Sequence, residues 1–355
     1  MKKLRIGIIG TGGIGKFHID AYRRAAADVA EVVAVCDIDA EKAKRFAEDN
    51  GVSAYYKDCR EMLTAEKLDA VSVCTWNAAH RDCTVAALEA GAHVLCEKPM
   101  AMNEAEAKEM ADAAEKAGKL LQIGFVRRFG TDAENMLDFV RGGVLGDIYY
   151  AKASYLRRDG CPAGWFCDKA YSGGGPLIDL GVHVIDLVRY LSGSPKPVEV
   201  FGVTCKGLGK NRARGAETAW TRDEGSDYPY TVEDFTSAMV RFDNGMTLAV
   251  EASFSLNIPR DTGIIELYGT KAGAALADGE IQLYTDMCGK YVNVQTVGGC
   301  GGSGDFFGKE ILGFVRAAAG AEPCRSSAED GVMLMKIIDA IYKSAETGKS
   351  VSIAY

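Results

Sequence analysis

The N-terminal segment of the chain constrains its fold most strongly. An apolar run at 6–9 leads directly into Gly10, Gly12 and Gly15, and a second apolar run at 32–36 ends at Asp37. A strand, a glycine turn, an amphipathic helix and a second strand fit this spacing. The sequence therefore predicts the first βα unit of a dinucleotide-binding domain.

The three glycines have separate physical roles in such a unit. Gly10 makes the tight turn after the strand, Gly12 lets the backbone approach a pyrophosphate, and Gly15 lets the helix pack closely on the sheet. The phosphates bind the free N–H groups at the start of the helix. The residues of the loop expected to bind the cofactor are Gly10, Gly12, Gly13, Ile14 and Gly15.

Asp37 predicts which dinucleotide is bound. A carboxylate at the end of the second strand can accept hydrogen bonds from both hydroxyl groups of the adenosine ribose, and it repels a 2′-phosphate. We therefore expect NAD rather than NADP. A glycine turn alone also serves ordinary βα packing, but the preceding strand, the following helix and Asp37 together favour nucleotide binding.

Length and charge restrict the class of protein. A chain of 355 residues is too long for one typical domain, so we expect a second domain. The net charge of −8 argues against nucleic acid or an anionic membrane as partner, because either needs a basic surface. The chain lacks a membrane-length apolar run and a signal-peptide core, and its eleven cysteines include no CxxC pair. A small-molecule partner, reduced thiols and a cytoplasmic location are expected.

The organisation of the chain changes near its middle. Strands and helices alternate over residues 1–125, which predicts a parallel, doubly wound sheet. Beyond residue 145 the segments are longer and alternate in polarity, as antiparallel strands do. Their ranges are 148–156, 198–205, 235–242, 247–255, 263–268 and 281–284. We expect an α/β Rossmann domain over 1–125, followed over 126–355 by an α+β domain with a large open, mostly antiparallel sheet.

The second domain is expected to bind substrate and to form oligomers. An open sheet face of this size usually meets another subunit, so a homodimer or homotetramer through the C-terminal sheet is predicted. The glycine-rich stretch 298–304 lacks the Gly-Lys-Ser/Thr of a phosphate loop and is interpreted as a flexible connection. A final amphipathic helix is predicted at 328–346.

Polar residues follow the strands of the first domain, where doubly wound sheets bind their ligands. Three segments lie at these strand ends, namely Thr75-Trp76-Asn77, Glu97-Lys98-Pro99 and residues 124–129 with Arg127 and Arg128. Lys98 follows a buried strand and precedes a proline that fixes the chain direction, so its side chain is expected near the nicotinamide. An ordinary solvated lysine at a strand end is the alternative.

A second polar group lies in an otherwise apolar helix near residue 180. Asp179, His183, Asp186 and Tyr190 are spaced to form one stripe along that helix. A carboxylate one turn from a histidine can fix its tautomer and raise its basicity, which suits a general base. A capping aspartate with a core histidine is an equal alternative. No catalytic metal is expected, because the other histidines fall in the nucleotide-binding domain.

These residues resemble the Gfo/Idh/MocA oxidoreductases over nearly the whole chain. The segments that carry the resemblance are Gly10–Gly15 with His18, Thr75–His80, Cys96–Ala101, Gly124–Phe129, Gly174–Asp186 and Phe242–Gly245. The family usually has Thr-Pro-Asn where this chain has Thr75-Trp76-Asn77. The order Glu97-Lys98-Pro99 together with the Asp179/His183 helix is the most specific part of the match.

The resemblance implies roles for named residues. It implies that Lys98, Asp179 and His183 form the catalytic set and also contact substrate. It implies that Thr75, Asn77, His80, Glu97 and Lys98 contribute to the cofactor pocket. Residues 157–175 are similar to the members that act on sugars and glycosides, which implies substrate contacts for Arg158, Trp165 and Lys169, and Arg128 is added to that set. Ordinary loop and surface use is the alternative for Arg158, Trp165 and Lys169.

The expected function is an NAD-dependent dehydrogenase that oxidises a secondary hydroxyl group of a sugar, glycoside or cyclic polyol. A first alternative is an enzyme that retains NAD and cleaves a glycoside through transient oxidation and elimination. A second is a nucleotide-binding sensor without chemistry, although a sensor has no need for Lys98 together with Asp179 and His183.

Overall fold

The N-terminal half of the chain forms a six-stranded parallel sheet. The structure, a computed structural model, describes residues 3–209, 228–296 and 304–355, so most of the glycine-rich stretch 298–304 lies outside the described residues. The strands are β1 (Leu4–Ile9), β2 (Ala30–Cys36), β3 (Ala54–Tyr56), β4 (Ala70–Val73), β5 (His93–Glu97) and β6 (Leu121–Gly124). Their order in the sheet, β3-β2-β1-β4-β5-β6, is that of a Rossmann domain.

Three of the five helices between these strands begin at side-chain caps. They are α1 (Gly13–Ala25), α2 (Ala40–Asp49), α3 (Cys59–Ala65), α4 (His80–Glu89) and α5 (Glu104–Ala117). Asp39, Asp58 and Asn103 each accept hydrogen bonds from backbone N–H groups of the first turn of α2, α3 and α5, respectively. Each cap therefore fixes the residue at which the preceding loop ends and the helix begins.

The C-terminal half forms a nine-stranded open sheet. Its strands are β7 (Ile148–Leu156), β8 (Pro197–Cys205), β9 (Phe235–Phe242), β10 (Thr247–Ser253), β11 (Thr262–Gly269), β12 (Ala272–Ala277), β13 (Glu280–Met287), β14 (Lys290–Gln295) and β15 (Val351–Ser352). The order is β14-β13-β12-β11-β7-β10-β9-β8-β15, and only β7 and β10 pair in parallel. The predicted fold class is therefore confirmed. The sequence analysis missed β12, because its alanine-rich segment has no clear alternation of polarity.

Helices of the second half join the two sheets. They are α6 (Thr131–Arg141), the single turn α7 (Lys169–Ser172), α8 (Val182–Leu191), α9 (Phe306–Ala318) and α10 (Ala328–Thr347). Helix α9 buries Ile311, Phe314 and Val315 against β1 and α1, and α10 packs on α5 and on β8. Helices α9 and α10 thus pack against the Rossmann domain. The predicted domain boundary between residues 125 and 126 stays a prediction.

Two further findings bear on the environment of the protein. No helix among the described residues combines the length and the apolar composition that a membrane crossing requires. The ten cysteines that the structure describes are all free. The cytoplasmic location stays a prediction.

Arg128 is a buried cross-link, and its assignment to substrate binding was wrong. Its guanidinium forms two hydrogen bonds to Asp186, Nη2 to Oδ1 at 2.6 Å and Nε to Oδ2 at 2.9 Å, and Nη1 donates to Asp330 at 2.9 Å. The side chain is 1% exposed and lies 4.7 Å from the ring of Tyr190. It joins the turn after β6 to α8 and α10. Asp186 and Tyr190 therefore serve this cross-link and do not continue the polar stripe of His183.

We expect Arg128→Ala to lower the free energy of unfolding by about 3–5 kcal/mol, because it leaves Asp186 buried without its counter-charge. Urea unfolding followed by circular dichroism measures the loss. Arg316→Ala is the matched control, since Arg316 forms an exposed ion pair with Glu322 at 2.8 Å and its removal should cost less than about 1 kcal/mol. Equal small losses in both variants would contradict the role given to Arg128.

Candidate active site

One cavity of about 610 Å³ brings together residues of both sheets. The glycine loop and Asp37 line it from the Rossmann domain, as do Thr75, Asn77, Glu97 and Lys98 at the ends of β4 and β5. Asp179, His183 and Trp165 line it from the second half of the chain. Residues that the sequence analysis identified in segments more than 160 residues apart therefore line one cavity.

The glycines of the loop have two different surroundings: Gly10 and Gly15 face protein atoms, whereas Gly12 faces open space in the cavity. Gly10 has φ +96°, and a Cβ atom there would lie 2.4 Å from the carbonyl oxygen of Cys74. A Cβ on Gly15 would lie 2.3 Å from the carbonyl oxygen of Gly10. A Cβ on Gly12 would meet no protein atom within 4 Å, although Gly12 lines the cavity. The protein's own packing thus needs Gly10 and Gly15, whereas the open space at Gly12 fits a dinucleotide pyrophosphate.

Asp37 is held in place by the same loop. Its Oδ2 accepts from the backbone N–H of Thr11 at 2.9 Å and from the Thr11 hydroxyl at 2.8 Å. Its Oδ1 accepts from the N–H of Asp39 at 3.1 Å. The carboxylate is thereby fixed at the cavity wall, where the remaining lone pairs of its oxygens can accept from ribose hydroxyl groups.

Lys98 and Asp179 form the polar centre of the cavity. The ammonium of Lys98 donates to Asp179 Oδ1 at 2.6 Å and to the Asp179 carbonyl oxygen at 3.0 Å. The side chains are only 17% and 10% exposed, so this ion pair lies largely out of water. Lys98 extends from the end of β5 to Asp179. It is therefore not an ordinary solvated lysine at a strand end.

A π-helical turn, Leu177–Gly181, presents Asp179 to Lys98 immediately before α8. Such turns interrupt the regular i to i−4 bonding and free backbone groups, which explains how the Asp179 carbonyl can accept from Lys98. The buried carboxylate of Glu233 accepts from the N–H groups of Gly175 and Leu177, at 3.0 and 3.3 Å, at the start of this turn. Glu233 was not found from the sequence, because it lies more than 50 residues from the turn that it caps.

His183 lies one turn after Asp179 and lines the same cavity. Desolvation lowers the pKa of His183 well below its usual value, and the positive charges of Lys98, Arg127 and Arg157 lower it further. Within the described part of the chain, Asp179 bonds to Lys98 and not to the imidazole of His183. The expectation that Asp179 orients His183 through a direct hydrogen bond was therefore wrong.

Tyr155 and two arginines complete this wall, and the sequence analysis did not single out Tyr155. The guanidinium of Arg127 lies 4.9 Å from the centre of the Tyr155 ring, and that of Arg157 lies at 5.5 Å. Burial raises the pKa of Tyr155, but Arg127 and Arg157 lower it more, so its net pKa falls below the usual value. Tyr155 lies on β7 in an ordinary alternating pattern, so no local signal could have indicated its place.

The structure separates the other predicted residues into two groups. Thr75, Asn77 and Glu97 line the cavity, and Asn77 Nδ2 also donates to the Ser172 carbonyl oxygen at 2.7 Å. His80 is buried behind the wall, where its ring nitrogens lie 2.7 Å from the Pro99 carbonyl oxygen and 3.1 Å from that of Thr75. His80 thus supports the segments that carry Thr75 and Lys98, and its assignment as a cofactor contact was wrong.

The residues predicted to contact substrate lie in two different places. Trp165 lines the cavity and stacks on Phe166 with ring centres 3.9 Å apart. Arg158 and Lys169 are exposed and lie outside the cavity wall. The backbone N–H of Arg158 donates to Asp261, and the Lys169 ammonium lies 5.6 Å from the ring of Tyr342. Substrate contacts by Arg158 and Lys169 stay a prediction.

His18, Glu97 and Glu310 are the group of described side chains whose nitrogen and oxygen atoms lie close enough to share a metal ion, within 4.8 Å. All three are buried, and His18 Nε2 lies 2.8 Å from Glu97 Oε1. That separation is a direct hydrogen-bond distance, so His18 Nε2 and Glu97 Oε1 are already paired with each other. We do not assign these residues as metal ligands.

The parallel sheet, the glycine loop and the Lys98, Asp179 and His183 group define a nucleotide-binding oxidoreductase. The family model described as an oxidoreductase family with an NAD-binding Rossmann fold matches residues 4–125, and the Gfo/Idh/MocA C-terminal domain model matches residues 134–275. The chain therefore belongs to the Gfo/Idh/MocA oxidoreductase family, and the resemblance stated from its motifs is confirmed.

Several relatives cover almost the whole chain. The chain is 38% identical to a D-glucoside 3-dehydrogenase of Escherichia coli over 355 residues, 99% of this chain and 97% of the relative. It is 28% identical to a myo-inositol 2-dehydrogenase of Thermotoga maritima over 99% of this chain and 98% of the relative. A levoglucosan dehydrogenase in complex with NADH and levoglucosan matches over 100% of both chains, with a TM-score of 0.85 and 26% identity.

We expect Gly12→Ala to lower the affinity for NADH and Gly15→Ala to lower the stability of the protein. Gly12 has φ −76°, which alanine adopts freely, so Gly12→Ala should keep the wild-type melting temperature while its new methyl group lowers NADH affinity at least about tenfold. Gly15→Ala should lose about 1–3 kcal/mol of stability, because its Cβ meets backbone. Thermal unfolding and NADH fluorescence titration measure the two effects. Wild-type NADH affinity in Gly12→Ala would refute the placement of the pyrophosphate.

Proposed function

We propose that this protein is an NAD-dependent dehydrogenase that oxidises a secondary hydroxyl group of a sugar, glycoside or cyclic polyol. The observation that carries the proposal is the Lys98–Asp179 ion pair, which lies with His183 in the same cavity as the glycine loop. A dehydrogenase needs these parts together, namely a dinucleotide cradle, a proton acceptor and a cation that stabilises charge on the reacting oxygen.

The substrate class is supported by the cavity wall and by the relatives. Trp165 and Phe166 offer flat apolar surfaces that suit the face of a sugar ring. Arg127, Arg157 and Tyr155 add hydrogen-bond donors to the same wall. A wall that combines ring stacking with several donors fits a polyhydroxylated ring, and relatives of this chain are named for a glucoside and for myo-inositol.

The cofactor proposal rests on Asp37 and the glycine loop. Gly12, Gly13 and Ile14 would hold the pyrophosphate at the start of α1, and Asp37 would accept from the adenosine ribose. Thr75, Asn77 and Glu97 would line the nicotinamide side. NAD is favoured over NADP, because a fixed carboxylate at Asp37 repels a 2′-phosphate.

His183 and Lys98 have different roles at the substrate oxygen. His183 accepts the hydroxyl proton, and its lowered pKa keeps the imidazole neutral and ready to accept at neutral pH. Lys98 donates to the same oxygen and stabilises the negative charge that develops there. Asp179 orients the Lys98 ammonium through its carboxylate and its carbonyl oxygen. NAD held by the glycine loop and Asp37 would supply the acceptor for the hydride of the carbinol carbon.

Incubation of the purified protein with NAD or NADP and a panel of inositols, free hexoses, sugar phosphates and glucosides tests the function. We expect NADH to appear with one substrate class and little reduction of NADP. Both NADH absorbance and glycoside cleavage should be followed. Cleavage without net NADH would contradict a simple dehydrogenase and favour transient oxidation, and neither signal, with NAD bound, would favour the sensor.

Lys98→Ala is the variant that links this activity to the site. We expect it to lower turnover by about 10²–10³-fold, because the developing charge loses its donor, while NADH affinity changes far less. Stopped assays for turnover and fluorescence titration for NADH measure the two quantities separately. Unchanged turnover in Lys98→Ala would remove Lys98 from the catalytic set.

We also propose that the open sheet meets a second copy of the chain. Phe201 and Val203 on β8 and Met239 on β9 are 48%, 42% and 51% exposed, and Phe201 pairs with Met239 in register. Large exposed apolar side chains that adjoin on a sheet are typical of subunit interfaces. Light scattering should give at least a dimer mass, which Phe201→Glu should reduce. A monomer mass for the wild type at micromolar concentration would contradict this proposal.

A further inference from the structure

Glu310 is a buried carboxyl group that the proposed reaction does not use. It lies on α9, is 0% exposed, and neither carboxylate oxygen has a hydrogen-bond partner among the described residues. Leaving an ionised carboxylate buried without donors is among the most costly arrangements in a protein interior. An unpaired buried group of this kind therefore needs a physical explanation.

The surroundings of Glu310 contain a second carboxylate but no compensating cation. His18 on α1 and Glu97 at the end of β5 lie within 4.8 Å of it. Tyr22 on α1 and Cys74 after β4 also face it, and burial raises the pKa of both, so they stay neutral. Among the described residues no lysine or arginine forms an ion pair with Glu97 or Glu310, because the nearby Lys98 ammonium points to Asp179.

Glu97 and Glu310 differ in the donors that they receive. Glu97 Oε1 lies 2.8 Å from His18 Nε2, and Glu97 Oε2 accepts from the backbone N–H of Lys98 at 3.2 Å. Glu310 receives no such donor, and burial and the charge of Glu97 raise its pKa well above the usual value. Burial without donors therefore favours the protonated form of Glu310.

We propose that Glu310 carries a proton in the folded protein, which leaves a single negative charge in the buried space shared with Glu97, and that Glu310 thereby acts as a positioning residue for Lys98. Helix α9 then places a neutral carboxyl group within 4.8 Å of Glu97. Glu97 in turn contacts the backbone N–H of Lys98 on one side and His18 on the other. The protonation of Glu310 stands independently of the reaction, whereas its effect on Lys98 rests on the proposed function.

The pH dependence of stability in Glu310→Gln tests the proton without any substrate. The glutamine amide keeps the size and a donor but never ionises. In the wild type, Glu310 is protonated when folded and ionised when unfolded above its usual pKa of about 4.3, so folding takes up a proton and weakens as pH rises. The ratio of the variant's folding constant to that of the wild type should therefore rise from pH 5 to pH 8, by up to about tenfold per pH unit.

Glu322→Gln is the matched control, because Glu322 is an exposed carboxylate that pairs with Arg316 shortly after α9. Its stability curve should run parallel to that of the wild type. Parallel curves for Glu310→Gln as well would overturn the proposal. Infrared spectroscopy of the wild type at pH 8 provides a measurement that needs no variant, since a protonated carboxyl group has its own carbonyl stretch. Its absence, or stoichiometric Zn²⁺ binding in equilibrium dialysis, would equally overturn it.

Rescue by the conservative variant tests the positioning role. Glu310→Ala should lower turnover by about tenfold or more, because the space left beside Glu97 allows Glu97 and Lys98 to shift. Glu310→Gln should recover most of that loss, and its thermal unfolding shows whether it is folded. Equal losses in both variants would overturn the positioning role, whereas a wild type without activity on any sugar would overturn the proposed function and leave the stability test intact.

Discussion

The ion pair between Lys98 and Asp179 joins the two halves of this protein at the site where chemistry is proposed. Lys98 comes from the carboxyl end of a parallel strand, and Asp179 comes from a π-helical turn before α8. Burial of such a pair costs solvation on both sides, so replacement by apolar residues would often stabilise a protein. Two hydrogen bonds to one residue, at 2.6 and 3.0 Å, offset part of that cost and fix the ammonium in one direction. The proposed reaction thus explains the position of the pair better than stability does.

Charge in the cavity is distributed unevenly, and the imbalance matters for proton transfer. Lys98 is balanced by Asp179, whereas Arg127 and Arg157 lie beside Tyr155. Burial and Lys98 lower the pKa of His183, and the two arginines lower it further. The same two arginines lower the pKa of Tyr155. Arg128, in contrast, is buried away from this wall and is paired with Asp186 and Asp330.

Sequence reasoning succeeded where chemistry is encoded locally. The glycine loop, Asp37, Lys98 and the spacing of Asp179 and His183 could be identified because each depends on a turn, a strand end or a helix period. Reasoning chose Arg128 over its neighbour Arg127 for substrate binding, but Arg128 is buried on Asp186 and Arg127 lines the cavity. Glu233 and Glu310 were missed because their partners lie far away in the chain. Tyr155 was missed because its alternating strand gives no local signal.

The sequence by itself determined the alternation of strands and helices in the first domain, the parallel character of the first sheet and the residue types available at its strand ends. These follow from hydrophobic periodicity and from backbone constraints on glycine and proline, which act over a few residues. Only the tertiary structure decided that Asp179 bonds to Lys98 rather than to His183, that His80 stands behind the wall, and that Glu310 meets Glu97. Such choices depend on which charges are desolvated together, and that is set by contacts between segments distant along the chain.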